Sequence, residues 1–166
     1  MRRAFLSTCV AYAVLVAAAA WWLPERVPLH FGGSGAPDRW GSRSEALLTF
    51  GLVGAGMALL LGGMAALVHR LPLRSSLVNL PHKDWWTATQ DREAEARRRL
   101  GIDLLGIGVA TMGFLGVMVV STVVAARSAE PSLGWPFVVA TGLYIVGVLA
   151  WGSWTMFARY RPEEDR

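Results

Sequence analysis

The sequence has little charge and almost no cysteine. Only 17% of its 166 residues are charged, and they are bunched, whereas a soluble domain carries about 25% and spreads them more evenly. The one cysteine, Cys9, excludes an intramolecular disulfide and a thiolate metal cluster. The sequence also lacks a Gly-rich phosphate loop, a nucleophile elbow and paired catalytic carboxylates. We therefore expect a protein that is not an enzyme and carries no cofactor.

Long uncharged stretches take up much of the chain. They are Ala4–Pro24, Ala46–Val68, Leu104–Ala126 and Pro131–Ala158. Each exceeds the roughly 20 apolar residues that a helix needs to cross a bilayer, and in lipid the backbone must satisfy its own hydrogen bonds. We predict an all-α membrane protein with a single four-helix domain over residues 1–166. Its predicted spans are approximately 4–24, 46–68, 104–126 and 133–158.

The first stretch has a second interpretation, as a cleaved signal peptide. Arg2 and Arg3 form a positive start, and the alanines at 17–20 offer cleavage sites. Trp21 and Trp22, however, extend the stretch to spanning length and stand where an aromatic belt belongs. We favour an uncleaved helix.

Lysine and arginine lie mainly on one side of the predicted spans. The N-terminus, the loop at 69–103 and the C-terminal tail hold 12 of the 16. The positive-inside rule therefore places both termini and this inner loop in the cytoplasm, with the loop at 25–45 outside. Because no soluble module exists to carry a basic patch, the net charge of +4 does not indicate nucleic acid. Arginine outnumbers lysine 15 to 1, which suggests a GC-rich bacterial genome and hence a bacterial cytoplasmic membrane.

Local patterns predict how the helices begin and meet. Gly54, Ala58, Gly62 and Ala66 form a stripe of small residues, which suits packing within the bundle or a homodimer; we favour the former and leave the oligomeric state open. Ser42 with Glu45, and Thr87 with Gln90, fit capping boxes. The second box predicts that the third helix extends into the cytoplasm, supported by acid-before-base pairs at 93/97 and 95/99. We expect Asp103, at the mouth of the third span, to be interfacial.

The outer loop has the pattern of a short hairpin. Pro24 ends the first helix, apolar residues alternate from Val27 to Phe31, and the glycines at 32–35 must turn. The hairpin should cap the helices, with Trp40 in the membrane interface. We expect His30 to bond loop backbone and Asp38 to serve a turn, because one His and one Asp are too few for a closed metal site.

The two loops carry motifs that resemble a known family. In the outer loop these residues are Pro24, Pro28, His30, Phe31, Gly35, Asp38, Trp40 and Gly41. In the inner loop they are Asn79, Pro81, Lys83, Asp84, Trp85 and Trp86, similar to the segment N-x-P-N-K-D-Y-W. Their spacing resembles the small bacterial membrane proteins of domain of unknown function 1648, which also forms the beginning of SdpI-type immunity and signalling proteins. His82 and Trp85 depart from the usual residues, and the additional helices of SdpI-type immunity proteins are not found among the four spans.

The resemblance implies sensing or immunity at the membrane. The outer motif would then bind a peptide ligand, and the inner motif a cytoplasmic regulator; alternatively, the inner tryptophans only anchor the loop at the bilayer surface. A second interpretation is an accessory or regulatory subunit of a larger membrane complex. A third is a membrane enzyme with a metal at His30. The lipid bilayer is the partner common to all three.

Overall fold

The structure, a computed structural model, describes residues 1–162 and is mostly helical. The helices are α1 (Arg2–Trp22), α2 (Arg43–Leu67), α3 (Lys83–Trp86), α4 (Gln90–Arg127) and α5 (Trp135–Trp154). A π-helical segment, Thr155–Arg159, continues α5. Between α1 and α2 the strands β1 (Arg26–Phe31) and β2 (Pro37–Ser42) form an antiparallel hairpin.

Four of these helices are long and apolar enough to cross a membrane: α1, α2, α4, and α5 with its π-helical continuation. The prediction of four membrane-spanning helices is confirmed in length and composition. Large apolar side chains are exposed along all four, as expected for helices that contact lipid. The chain is therefore a multi-pass membrane protein.

The helix ends differ from the predicted bounds by a few residues. Helix α1 ends at Trp22 because Leu23 is extended and Pro24 follows it. Helix α2 begins at Arg43, where the Ser42 hydroxyl accepts a hydrogen bond from the Glu45 amide at 3.1 Å. This confirms the predicted cap.

A core joins α1, α2 and α4. Its buried side chains include Phe5 and Tyr12 of α1 and Met112 and Val119 of α4. The Tyr12 ring lies against Gly54, so closely that a methyl group there would overlap it. Phe5 approaches Gly62 in the same way, at 3.1 Å from the position of an added Cβ. The stripe of small residues therefore packs within the bundle, as favoured from the sequence.

Helix α5 stands at the edge of the bundle. Among the helices of residues 1–162 it packs only against α4 and its own continuation, and none of its residues is buried. The Tyr144 ring stacks on Phe114 with centroids 4.5 Å apart, and its hydroxyl is 2.9 Å from that of Thr111. These polar and aromatic contacts hold α5 on α4.

Helix α4 extends well beyond the predicted span, beginning at Gln90. Its cap is Thr89, whose hydroxyl accepts from the Arg92 amide at 3.4 Å, so the predicted cap at Thr87 was wrong. Thr87 instead ends α3, donating its amide to the Lys83 carbonyl and accepting from Arg74. The predicted pairs do form: Arg97 with Glu93 at 2.6 Å, and Arg99 with Glu95 at 2.7 Å.

Candidate functional site

The two motif-bearing loops form caps at opposite ends of the bundle. The hairpin cap comprises residues 26–42. The loop cap comprises residues 71–89, which include α3. Each motif thus occupies a folded structure of its own, and the two do not meet.

The hairpin cap is fixed to the helices by its first strand. Val27 and Pro28 are fully buried, and β1 packs against both α2 and α4. At the tip, Gly35 turns with a φ of 78°, a conformation that favours glycine, and its carbonyl accepts from the Leu133 amide at 3.0 Å. The linker before α5 therefore holds the tip in place.

Charged and aromatic side chains pair across the exposed face of the hairpin cap. The His30 Nδ1 lies 2.6 Å from an Asp38 carboxylate oxygen, and both side chains are more than half exposed. Arg26 stacks over the Trp40 ring, 4.9 Å from its centroid. Arg39 donates to Glu45 at 2.5 Å.

These contacts correct two expectations. The partner of His30 is the Asp38 side chain, where loop backbone was expected. Asp38 itself lies within β2 and not in a turn, because the strand begins at Pro37. Gly41 faces Leu29 and Glu45, whose side chains would overlap an added Cβ, so its place in the motif has a steric reason.

An apolar cavity of about 160 Å³ lies beneath the hairpin cap. Three hairpin residues line it, the motif members Pro28 and Phe31 together with Leu29. Phe50 of α2 and Phe137 of α5 form part of the opposite wall. The outer motif thus borders an apolar space on one side and presents charges on the other.

The loop cap is built around Trp86, which is 3% exposed. Its indole N–H donates to the Tyr160 carbonyl at 2.9 Å, and its ring meets the Tyr160 ring edge to face. Arg99 lies over the Trp86 ring, 5.0 Å from its centroid. Trp86 is buried, and its contacts with Tyr160 link the inner motif to the residue that follows the π-helical segment.

The other inner-motif residues surround this centre. Lys83 donates to the Ser75 carbonyl at 3.0 Å, and the Trp85 ring lies under Arg92 at 4.0 Å. Asn79 and Asp84 are exposed, whereas Pro81 is half-buried. Only some of the inner motif is thus accessible to a partner.

A buried polar cluster beside the loop cap was missed from the sequence. Asp103, expected at the membrane interface, is 7% exposed and is thus buried within the protein. One carboxylate oxygen accepts from the Tyr160 hydroxyl at 2.7 Å and from Arg159 Nε at 2.8 Å. Burial, reinforced by the hydrogen bond to Asp103, raises the pKa of Tyr160 well above its usual range.

A second cavity, of about 380 Å³, adjoins this cluster. Asn79, Leu80 and Pro81 of the loop cap line it, opposite Asp103 and Trp151. The second oxygen of Asp103 and the indole N–H of Trp151 find no hydrogen-bond partner among residues 1–162. The sequence did contain one signal for this cluster, the lone acidic residue at the mouth of a span. Such residues are rare and usually paired, so a partner for Asp103 could have been expected.

The structure brings no metal-binding set together in the described part of the chain. Within residues 1–162 no three or more His, Cys, Asp or Glu side chains lie where they could share an ion. The contacts seen in the hairpin cap are ionic, aromatic and apolar.

Comparison with known proteins places the outer motif in a family. Residues 8–54 match the family model described as a domain of unknown function, DUF1648. The matched segment comprises most of α1, the whole hairpin cap and the first half of α2, so the resemblance seen in the outer motif is confirmed. The inner motif lies outside the match, and its resemblance remains a prediction.

The chain is also similar to a protein of Archaeoglobus fulgidus. An uncharacterized protein of Archaeoglobus fulgidus is 40% identical over 62 residues, which is 36% of this chain. The chain spans about a third of that protein's length, since the match covers 32% of it. No solved structure matches the chain significantly.

Proposed function

We propose that this protein is a non-enzymatic receptor of SdpI-like kind, acting in sensing or immunity at the bacterial cytoplasmic membrane. Both termini and the loop cap face the cytoplasm, in keeping with the distribution of lysine and arginine. The hairpin cap faces outward and binds an amphipathic peptide.

The arrangement of the hairpin cap is the observation that supports this function. Its exposed face carries charges of both signs, and Phe31 and Leu29 border the apolar cavity beneath it. A peptide that crosses the edge of the hairpin would place polar side chains on the charged face and apolar side chains at the cavity beneath it, with main-chain or aromatic contacts at Trp40. Since the hairpin lies at the helix ends, the peptide would meet it at the membrane surface.

Helix α4 offers a physical route from the hairpin cap to the cytoplasm. It contacts β1 at one end and carries Arg99 and Asp103 of the loop cap region at the other. In this proposal α4 has two positions relative to its neighbours. A ligand that binds one position of the hairpin more tightly shifts α4 toward the matching position. Exposed Asn79 and Asp84 would then present the change to a cytoplasmic regulator.

The test uses a host that lacks the protein and is challenged with a toxic peptide of the kind against which SdpI-type proteins protect. Expression of the unaltered chain should raise the peptide concentration needed to stop growth. Asp38→Ala and Trp40→Ala should each abolish this protection, because they remove the partners of His30 and Arg26.

The matched control is Gly33→Ala at the tip of the same hairpin, where an added Cβ meets no atom within 4 Å. It should protect as well as the unaltered chain, with equal amounts of all four proteins in the membrane. Full protection by both site variants would remove the hairpin cap from the function.

A second candidate, an accessory subunit of a larger membrane complex, is favoured by the position of α5. Large apolar side chains such as Leu143, Val146 and Leu149 are more than 60% exposed along it. Gly142 and Gly147 leave open space beside its backbone, which would let a partner helix approach closely. Cross-linking in membranes from cysteines placed at 142 or 146 should capture a partner if this function is correct, whereas cysteine at 117 on α4 is the control.

A further inference from the structure

A large cavity opens between α1, α2 and α4 at the loop-cap end of the bundle. Its volume is about 710 Å³, within the range of about 300–1,000 Å³ that is typical of ligand sites. It lies at the opposite end of the helices from the hairpin cap. A ligand here would occupy a site separate from the one proposed above.

The mouth of the cavity is basic. Arg2 at the start of α1, Arg70 just after α2 and Arg98 of α4 all line it, so two arginines lie on helices and one on the chain that follows α2. None of its described lining residues is acidic. The first turn of α1 adds the positive end of a helix dipole, with no acidic residue to offset it.

Two of these arginines have no ionic partner within residues 1–162. Arg98 is held by Glu95 through hydrogen bonds of 2.7 and 2.8 Å, which offsets its charge. No ion pair or side-chain hydrogen bond joins Arg2 or Arg70 to another described residue. Their guanidinium groups are thus available to an anion.

The depth of the cavity is apolar. Phe5 and Leu6 of α1, Gly62 of α2 and Leu105 of α4 form its walls below the arginines. His69 also lines the cavity, with its Nε2 3.4 Å from the position of a Cβ on Gly101. The lining therefore changes from charged to apolar along the helices, near the level where α1 begins and α2 ends.

We propose that this cavity binds an anionic phospholipid, with its phosphate between Arg2 and Arg70 and the upper part of its acyl chains against Phe5 and Leu105. A guanidinium donates two parallel hydrogen bonds to phosphate oxygens, and basic cavities between membrane helices suit such headgroups. The apolar walls distinguish a lipid from a soluble phosphate, because only a lipid gains by covering them. Arg98 is hydrogen-bonded to Glu95, so it adds less positive charge to the mouth of the cavity than Arg2 and Arg70 do.

The experiment compares phosphatidylglycerol with phosphatidylcholine of identical acyl chains. Each lipid is titrated into the purified full chain in neutral detergent, and bound lipid is counted by native mass spectrometry. The unaltered protein should retain phosphatidylglycerol in preference to phosphatidylcholine. The double variant R2Q/R70Q should weaken that binding by about fivefold for each arginine removed.

The matched control is R3Q/R43Q, which removes the same charge from two exposed arginines that do not line the cavity. It should keep the affinity of the unaltered protein. Equal loss in both double variants would mean that the protein attracts anionic lipid only through its general charge, and would overturn the site.

Two further outcomes also decide the proposal without relying on the folding of a variant. Equal retention of the two lipids by the unaltered protein would overturn it. So would displacement of phosphatidylglycerol by glycerol phosphate at a similar concentration, because the cavity would then recognise a soluble phosphate. The variant R2K/R70K keeps the charge but loses the paired donors, so it should bind phosphatidylglycerol more weakly than the unaltered protein and more tightly than R2Q/R70Q.

Discussion

Single glycines decide how closely the helices of this bundle approach. Gly54→Ala should destabilise the protein by about 1–3 kcal/mol, because the new methyl group would overlap the Tyr12 ring in a packed core. Tyr12 cannot easily move, since its hydroxyl donates to the Phe50 carbonyl at 2.8 Å. Thermal unfolding in detergent, followed by circular dichroism, measures the change.

The control for this prediction lies one turn away on the same helix. Gly51 has no atom within 4 Å of an added Cβ, so Gly51→Ala should be neutral or stabilise the helix by up to about 1 kcal/mol. A loss of stability equal to that of Gly54→Ala would show that the small residues matter for helix flexibility and not for contact with Tyr12.

Asp103 is the residue whose removal we expect to cost most at the loop-cap end. Asp103→Ala should destabilise the protein by about 3 kcal/mol, because Arg159 and the Tyr160 hydroxyl would lose a buried acceptor. The same unfolding measurement applies. Asp84→Ala, an exposed carboxylate of the loop cap, should change stability by no more than about 0.5 kcal/mol, and an equal effect of the two would contradict the buried role.

The cluster around Asp103 shows why some site residues could not be predicted from the sequence. Asp103 and Arg159 lie far apart along the chain, and counting charges by segment assigns each to a flank of its own span. Only the packing of α5's continuation beside α4 brings them together. His30 and Asp38 lie nearer each other, yet their bond depends on a strand register with an irregularity between Pro28 and Phe31.

At the scale of elements, local capping signals were confirmed at one of two positions. The cap at Ser42 was predicted from two residues three positions apart and is confirmed. The cap at Thr87 had the same pattern and was wrong, because Thr87 is buried at the end of α3 with its backbone groups already bonded. A capping pattern therefore predicts a helix start only where the capping residue does not already end another helix, and the sequence does not reveal this.

The Ser42 cap leads to a prediction for the junction of hairpin and helix. Ser42→Ala should cost about 1 kcal/mol, because the Glu45 amide at the start of α2 loses its acceptor. Ser44→Ala serves as the control: its hydroxyl contacts that of Ser42 at 2.9 Å but caps no amide. If the two substitutions destabilised the protein equally, the hydroxyl pair and not the cap would be the stabilising feature.

At the scale of the whole molecule, the sequence predicted the four spans because lipid imposes a length and an absence of charge that are visible without the fold. The way in which the spans associate was only partly visible. The small-residue stripe predicted contact of α2 with another helix, and the structure shows α1 there. Nothing in the composition of α5 indicated that it would stand at the edge, since every span is apolar on all sides.

The proposed orientation across the membrane rests on the bias of lysine and arginine, and it can be tested directly. Cys9 is changed to serine, and single cysteines are placed at Ser34, at the exposed tip of the hairpin cap, and at Ser76, exposed in the loop cap. A maleimide that cannot cross membranes should label the cysteine at 34 in intact cells, and the one at 76 only after the cells are opened. Because α2 alone separates the two positions, the reverse pattern would invert the proposed orientation, and labelling of both in intact cells would mean that α2 does not span the bilayer. We expect the first result, since the hairpin side carries only 4 of the 16 basic residues.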